Sequence, residues 1–129
     1  MKIIQLQKEV DSLKTVVGRS YKPGLGELMN MVNHHFRELY RAGQTKNWRY
    51  ASFEIHEMQE VFDKMRIYQA QRKETKQLKM IFPALENMKR SLKNPHQTDF
   101  NKAYNTIQNT CNACHLLTGY GFIKITTPK

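Results

Sequence analysis

Both cysteines of the sequence lie in one short motif, Cys111-Asn112-Ala113-Cys114-His115. On a helix, residues three positions apart lie on one face, so the two thiols would project from the same side with the imidazole beside them. Three kinds of site use cysteines at this spacing: a redox dithiol, a zinc site and a covalent haem attachment site.

The dithiol and zinc interpretations each lack an expected companion in the sequence. A thioredoxin-type dithiol is typical of a strand–helix–strand context, which the sequence does not predict. Structural zinc needs four ligands, usually with a second clustered pair, and no such pair is present. In the haem interpretation, Cys111 and Cys114 reach the two vinyl groups of one porphyrin and His115 approaches the iron. We therefore expect one covalently attached haem c, with the other two interpretations as alternatives.

Helical periodicity places this motif at the end of the last of four amphipathic segments. Three- and four-residue apolar spacing predicts helices over about 25–42, 46–70 and 75–93, the third interrupted at Pro83. A fourth helix should follow, with Asn94 or Thr98 as its cap. Short links between these helices favour an antiparallel four-helix bundle over 25–118.

Two terminal segments flank the predicted bundle. A heptad stripe predicts an amphipathic helix over 1–17, which either packs on the bundle or mediates association through residues 3–17. We expect residues 18–24, which contain glycine and proline, to form a linker. The tail, 119–129, leaves the last helix at a glycine, and we expect it either to lie extended over a haem edge, with Phe122 against the cofactor, or to fray. The predicted fold is therefore all-α: a four-helix bundle with an extra N-terminal helix and a short extended C-terminal tail.

A C-x-x-C-H motif on the last helix of a four-helix bundle resembles the cytochrome c-prime family of bacterial periplasmic cytochromes. The resemblance covers about residues 24–118, and its specific part is the motif from Cys111 to His115. It implies thioether bonds from Cys111 and Cys114, iron ligation by His115 and a periplasmic location. The chain departs from the family at Gly119, where members typically carry a basic residue.

The same resemblance implies that the distal face of the haem is formed by the first helix of the four. Counting back three to four turns from the end of that helix reaches Met29, which shares an inward stripe with Val32 and Phe36. We expect Met29 to be the sixth ligand, with His35 as its rival. Tyr104 lies on the inward stripe of the last helix and should contribute to the same pocket.

Electron transfer and the binding of a small gaseous ligand remain alternative functions of such a haem. Electron transfer needs a second protein ligand to the iron, whereas binding or sensing of NO or CO needs an open distal site. A third alternative is a haem-stabilised subunit of a larger redox complex. The sequence predicts no acid–base pair beside the haem, so we do not expect an enzyme.

Composition limits the partners of the chain. With 129 residues it is the size of one domain, and its net charge of +10 favours an acidic redox partner. The basic residues are scattered and no nucleic-acid motif accompanies them, so we expect no nucleic-acid partner. We also expect no membrane span, because no apolar run approaches the roughly 20 residues that one needs. The first residues do not have the pattern of a signal peptide, so periplasmic maturation requires an export signal that this chain does not show.

Overall fold

The computed structural model describes residues 23–128, and every regular element within them is helical. The elements are α1 (Leu25–Gln44), α2 (Trp48–Tyr68), α3 (Lys73–Lys76), a 3₁₀ turn (Gln77–Met80), α4 (Ile81–Ser91) and α5 (Gln97–Leu117). Because α3, the 3₁₀ turn and α4 follow one another without a gap, they form the third of four helical stretches. This confirms the all-helical prediction. The helix and most of the linker predicted over residues 1–22 lie outside the described residues.

α1 continues past its predicted end because Gly43 is a packing residue rather than a helix terminator. A Cβ atom at Gly43 would overlap the aromatic ring of Phe100 on α5. Glycine at this position therefore allows the backbone of α1 to approach α5 closely, and the helix ends at Gln44 instead.

α2 begins two residues later than predicted, at Trp48. Lys46 adopts a left-handed conformation with φ of 57°, which interrupts the helical backbone before it. Asn47 then occupies the N-cap position, and its side chain accepts a hydrogen bond from the backbone N–H of Tyr50 at 3.2 Å. An N-cap asparagine satisfies one of the otherwise free N–H groups of the first turn.

The interruption predicted at Pro83 is present in the third helical stretch. Pro83 is the third residue of α4, where its missing N–H removes no hydrogen bond within the helix. The 3₁₀ turn over Gln77–Met80 directly precedes α4, so the chain changes its hydrogen-bond pattern just before the proline.

α5 starts without the cap that we predicted. The N-cap residue is His96, and not Asn94 or Thr98. The backbone of His96 is extended, with φ of −126° and ψ of 138°, and its side chain forms no capping hydrogen bond. Thr98 is already inside the helix. Asp99, in the first turn, instead supplies a negative charge at the positive end of the helix dipole.

Aromatic contacts join α1 and α5 in the core. The rings of Phe36 and Tyr104 stack with centroids 4.2 Å apart, and the tyrosine hydroxyl donates to the Phe36 carbonyl at 3.3 Å. Trp48 on α2 packs against Phe100, with centroids 5.5 Å apart. The remaining core is formed by buried aliphatic and methionine side chains, including Leu39, Met58, Met65, Leu85, Met88 and Ile107.

No helix within residues 23–128 is long and apolar enough to cross a membrane.

Candidate functional site

A cavity of about 450 Å³ lies between α1, the third helical stretch, α5 and the C-terminal tail. Its apolar lining includes Leu25, Val32, Phe36, Phe62, Leu78, Ile81, Ile123 and Ile125. Cofactor pockets typically have volumes of about 300–1,000 Å³ and mostly apolar walls. The size and lining of the cavity therefore suit a mostly apolar cofactor.

Cys111, Cys114 and His115 all line this cavity. They lie in the last two turns of α5, where a spacing of three residues places both thiols on one side of the helix. Both cysteines are free and partly buried, and Cys111 packs against the hydrophobic core. The predicted cysteine–histidine constellation is thus brought to one cavity wall.

The two thiols are in surroundings that keep them protonated. Burial, and then the nearby Cys114, raise the pKa of Cys111 to about 12. Burial also raises the pKa of Cys114, and the negative charge of Glu74 adds to the effect. Redox-active dithiols have the opposite property, a lowered pKa in an electropositive environment. The local electrostatics therefore count against the dithiol interpretation.

The imidazole of His115 is oriented by the C-terminal tail. Its Nδ1 lies 3.0 Å from the carbonyl oxygen of Ile123. Since a carbonyl only accepts hydrogen bonds, Nδ1 carries the hydrogen in this contact, and in the neutral form of the ring the lone pair is then on Nε2. A histidine held in this way is ready to bind a metal through Nε2.

One edge of the cavity is polar. Arg72 and Glu74 form an ion pair there, with Nε and Oε2 3.2 Å apart. The pKa of Glu74 is lowered, first by a hydrogen bond from its own backbone N–H and then by Arg72, although the carboxylate is buried. Glu74 is therefore a fixed negative charge close to Cys114.

α1 brings three of the predicted residues to the cavity: Met29, Val32 and Phe36. Met29 is partly buried against the core. Among the described residues that line the cavity, it is the only methionine, and His115 is the only histidine. The cavity wall thus offers one thioether and one imidazole as potential iron ligands.

The rival ligand, His35, is held elsewhere. Its Nδ1 lies 2.5 Å from Oε2 of Glu54 on α2, and it is not part of the cavity lining. The other three histidines outside the motif, His34, His56 and His96, are exposed.

Two further predicted residues are also absent from the cavity wall. Tyr104 is buried in the core, behind the cavity-lining ring of Phe36 on which it stacks. Phe122 is 80% exposed, whereas its neighbours Ile123 and Ile125 line the cavity. The tail therefore runs along the site with Ile123 and Ile125, rather than the expected Phe122, on the side of the cavity.

Several residues of the site were not predicted from the sequence, and only some of them could have been recognised from a sequence pattern. Arg72 is the N-cap residue of α3 and Glu74 lies within that four-residue helix, which is too short for apolar periodicity to reveal its faces. Asn112 is one of the two unspecified positions of the C-x-x-C-H pattern, yet its spacing of three from His115 places both residues on one helical face.

Within residues 23–128 no three histidine, cysteine, aspartate or glutamate side chains converge as a group that could hold a metal ion. The motif therefore does not provide the four ligands of a tetrahedral zinc site. This finding does not bear on the haem interpretation, in which His115 would be the only iron ligand from the motif. Comparison of the chain with protein families, with curated proteins and with solved structures gives no match.

Proposed function

We propose that this protein is a c-type cytochrome that holds one haem covalently and transfers electrons. The observation that supports the proposal is that Cys111, Cys114 and His115 line the same apolar cavity as Met29. Two thiols, an imidazole and a thioether on the walls of one apolar pocket are the side chains that a covalent, six-coordinate haem requires.

The cysteines would attach the cofactor by addition reactions. Each thiol would add across one vinyl double bond, with the sulfur bonding to one carbon and the hydrogen going to the other, so that no oxidant would be needed. Burial suits this role, because a thioether sulfur, unlike a thiol, cannot ionise and so places no charge in the apolar wall.

His115 and Met29 would hold the iron from two different helices. His115 presents Nε2, since its Nδ1 hydrogen is engaged by the Ile123 carbonyl. Met29 offers a neutral, polarisable sulfur from α1. When bound, the haem supplies one-electron chemistry by cycling its iron between the ferric and ferrous states. A histidine–methionine ligand pair favours the low-spin iron and raised potential of electron-transfer cytochromes.

Binding of a small gaseous ligand such as NO or CO is the second candidate function. It is favoured by the composition of the α1 wall, where the other cavity-lining side chains are the apolar Leu25, Val32 and Phe36 and the amides Asn30 and Asn33. If Met29 only packs beside the cofactor, none of these side chains is a common iron ligand, and the distal position would be open.

The fold that we propose around this site is an antiparallel four-helix bundle. Its support is the shortness of the links, since residues 45–47 join α1 to α2 and 92–96 join α4 to α5. Ring contacts between Phe36 on α1 and Tyr104 on α5, and between Phe62 on α2 and Phe82 on α4, also support packing of these helices against one another.

We also propose an acidic redox protein as the partner and the periplasm as the compartment. The net charge of +10 would speed encounter with an acidic surface. Covalent haem attachment by two thiols is typical of extracytoplasmic maturation, where an export signal would be needed. Association through residues 3–17 remains a prediction from the heptad pattern.

The test is the intact mass of acid-denatured protein after export into a periplasm that matures c-type cytochromes. We expect the polypeptide mass plus one complete haem, and the bare polypeptide mass for the control variant in which both Cys111 and Cys114 are changed to serine. A bare mass for the wild type would overturn the proposal. A mass lower by two hydrogens would instead indicate a disulfide and favour the dithiol alternative.

A further inference from the structure

The C-terminal tail is attached to α5 by a series of hydrogen bonds. The Ile123 carbonyl accepts from His115 Nδ1 at 3.0 Å. Further along, the Thr127 hydroxyl donates to Oε1 of Gln108 at 2.9 Å. The tail therefore turns back after α5 and runs beside it toward the helix start.

The spacing of these contacts follows from the geometry of the two elements. Along the tail the bonded residues are two apart, at 123, 125 and 127, which corresponds to about 6.6–6.8 Å in an extended chain. Along α5 their partners at 115, 112 and 108 are three or four apart, about 4.5–6 Å along the helix axis. One stripe of α5 can therefore bind successive alternate residues of the extended tail.

Asn112 makes the strongest of these connections. Its Oδ1 accepts from the backbone N–H of Ile125 at 2.7 Å, and its Nδ2 donates to the backbone carbonyl of Ile125 at 3.0 Å. A side-chain amide that pairs with both backbone groups of one residue fixes both the position and the direction of the chain there. Cys111 and Cys114 face the cavity from the adjacent side of the same helical turns.

We propose that Asn112 is a positioning residue for His115, acting through the tail. By fixing Ile125, it holds the extended chain in the register that places the Ile123 carbonyl against Nδ1 of His115. The inference rests on the proposed function, because the importance of that carbonyl depends on His115 being an iron ligand. Within the motif, position 112 thus has a role distinct from the attachment of the cofactor.

Loss of this support has a specific electronic consequence. A hydrogen bond from Nδ1 to a carbonyl increases the basicity of the imidazole, and a more basic ligand stabilises ferric iron. Weakening of the bond should therefore raise the reduction potential. Simple loss of a cover over the cofactor has the opposite effect, because access of water stabilises the more highly charged ferric form and lowers the potential.

The experiment compares the wild type with Asn112→Ala and with the matched control Asn109→Ala, which changes an exposed asparagine one turn earlier on α5. The first measurement is trypsin cleavage after Lys124, which lies between the two tethered isoleucines. The second is the reduction potential of the holoprotein. We expect Asn112→Ala to be cleaved roughly five- to a hundred-fold faster, as loss of two hydrogen bonds implies, and to have a higher potential. Asn109→Ala should match the wild type in both.

An unchanged cleavage rate in Asn112→Ala would overturn the inference. Faster cleavage with an unchanged or lowered reduction potential would also overturn it, because the tail would then only cover the cofactor. If that variant gives too little holoprotein, Asn112→Ser is read by the same criteria, because its side chain is too short to bond both groups of Ile125. Failure of the proposed function is seen separately, as a bare wild-type mass, and the cleavage rates still report on the tether.

Discussion

The imidazole of His35 is paired with the carboxylate of Glu54, with 2.5 Å between Nδ1 and Oε2. Glu54 is only 3% exposed, so the pair joins α1 to α2 in a region that water hardly reaches. Removal of one partner from a buried pair leaves the other without compensation. The contact therefore gives His35 a structural role and removes it from the haem pocket that we propose.

We predict that His35→Ala lowers the free energy of unfolding by about 1–3 kcal/mol, because a buried carboxylate loses its partner, and leaves the haem spectrum unchanged. The control is His56→Ala. His56 pairs with Glu60 at 3.0 Å on an exposed face, where such pairs contribute less than about 1 kcal/mol. Chemical denaturation and absorption spectra check both variants. Loss of a low-spin spectrum in His35→Ala at wild-type stability would instead make His35 the ligand.

Gly43→Ala should destabilise the protein, because the added methyl group has no space beside the ring of Phe100. Overpacking of this kind costs about 1–3 kcal/mol, which outweighs the higher helix propensity of alanine. Gly26→Ala in the same helix is the control. A Cβ there meets nothing within 4 Å, so we expect a gain of about 0.4–1 kcal/mol. Equal melting temperatures for the two variants would contradict the close approach of α1 and α5.

Gly43 illustrates which features of the fold could be predicted from the sequence and which could not. Helical periodicity predicted four helical stretches and the cavity-facing stripe of Met29, Val32 and Phe36, because each depends only on which residues share a helix face. It could not tell that Gly43 continues a helix rather than ending it. That property depends on Phe100, which is distant in sequence.

The tail shows the same limit. Alternation in the sequence suggested an extended segment with Phe122 against the site, whereas Ile123 and Ile125 line the cavity and Phe122 does not. The hydrogen bonds of Asn112 and His115 fix that register, and they place Phe122 outward. A shift of one residue in an extended chain exchanges its two faces, so register depends on contacts made elsewhere in the fold.

Tyr104 should make the stability of the protein sensitive to alkaline pH. Burial, and then the nearby Tyr40 and Cys111, raise its pKa, so folding favours the neutral phenol. This contribution to the free energy of unfolding is complete below the unfolded pKa of about 10 and is lost as the pH rises toward the higher folded pKa. We predict that above about pH 10 the free energy of unfolding of Tyr104→Phe falls less steeply with pH than that of the wild type.

At neutral pH the same variant loses the hydrogen bond to the Phe36 carbonyl, at a cost of about 0.5–1.5 kcal/mol. Tyr68→Phe, at the end of α2, is the control, because its side chain is only partly buried. Denaturation series at several pH values compare the three proteins. An alkaline slope in Tyr104→Phe as steep as that of the wild type would show that the buried phenol does not titrate in this way.

Met29→Ala tests the distal ligand that we propose. The thioether of Met29 is on the cavity wall that α1 forms, together with Val32 and Phe36, and alanine retains neither its sulfur nor its reach. We expect the wild-type holoprotein to be low-spin and to bind CO slowly, because the gas must displace the methionine. The variant should be high-spin and bind CO faster than the wild type, since the distal position is then open.

Met31→Ala is the matched control for this experiment, because Met31 is 41% exposed and is not part of the cavity wall. It should retain the low-spin spectrum and the slow CO binding of the wild type. If the wild type is already high-spin and binds CO at once, Met29 is not a ligand, and gas binding replaces electron transfer as the better account of the site. If Met29→Ala remains low-spin, the sixth ligand is another side chain. Because His35 is paired with Glu54, the double variant Met29→Ala/His35→Ala would then show whether that pair opens when haem is bound.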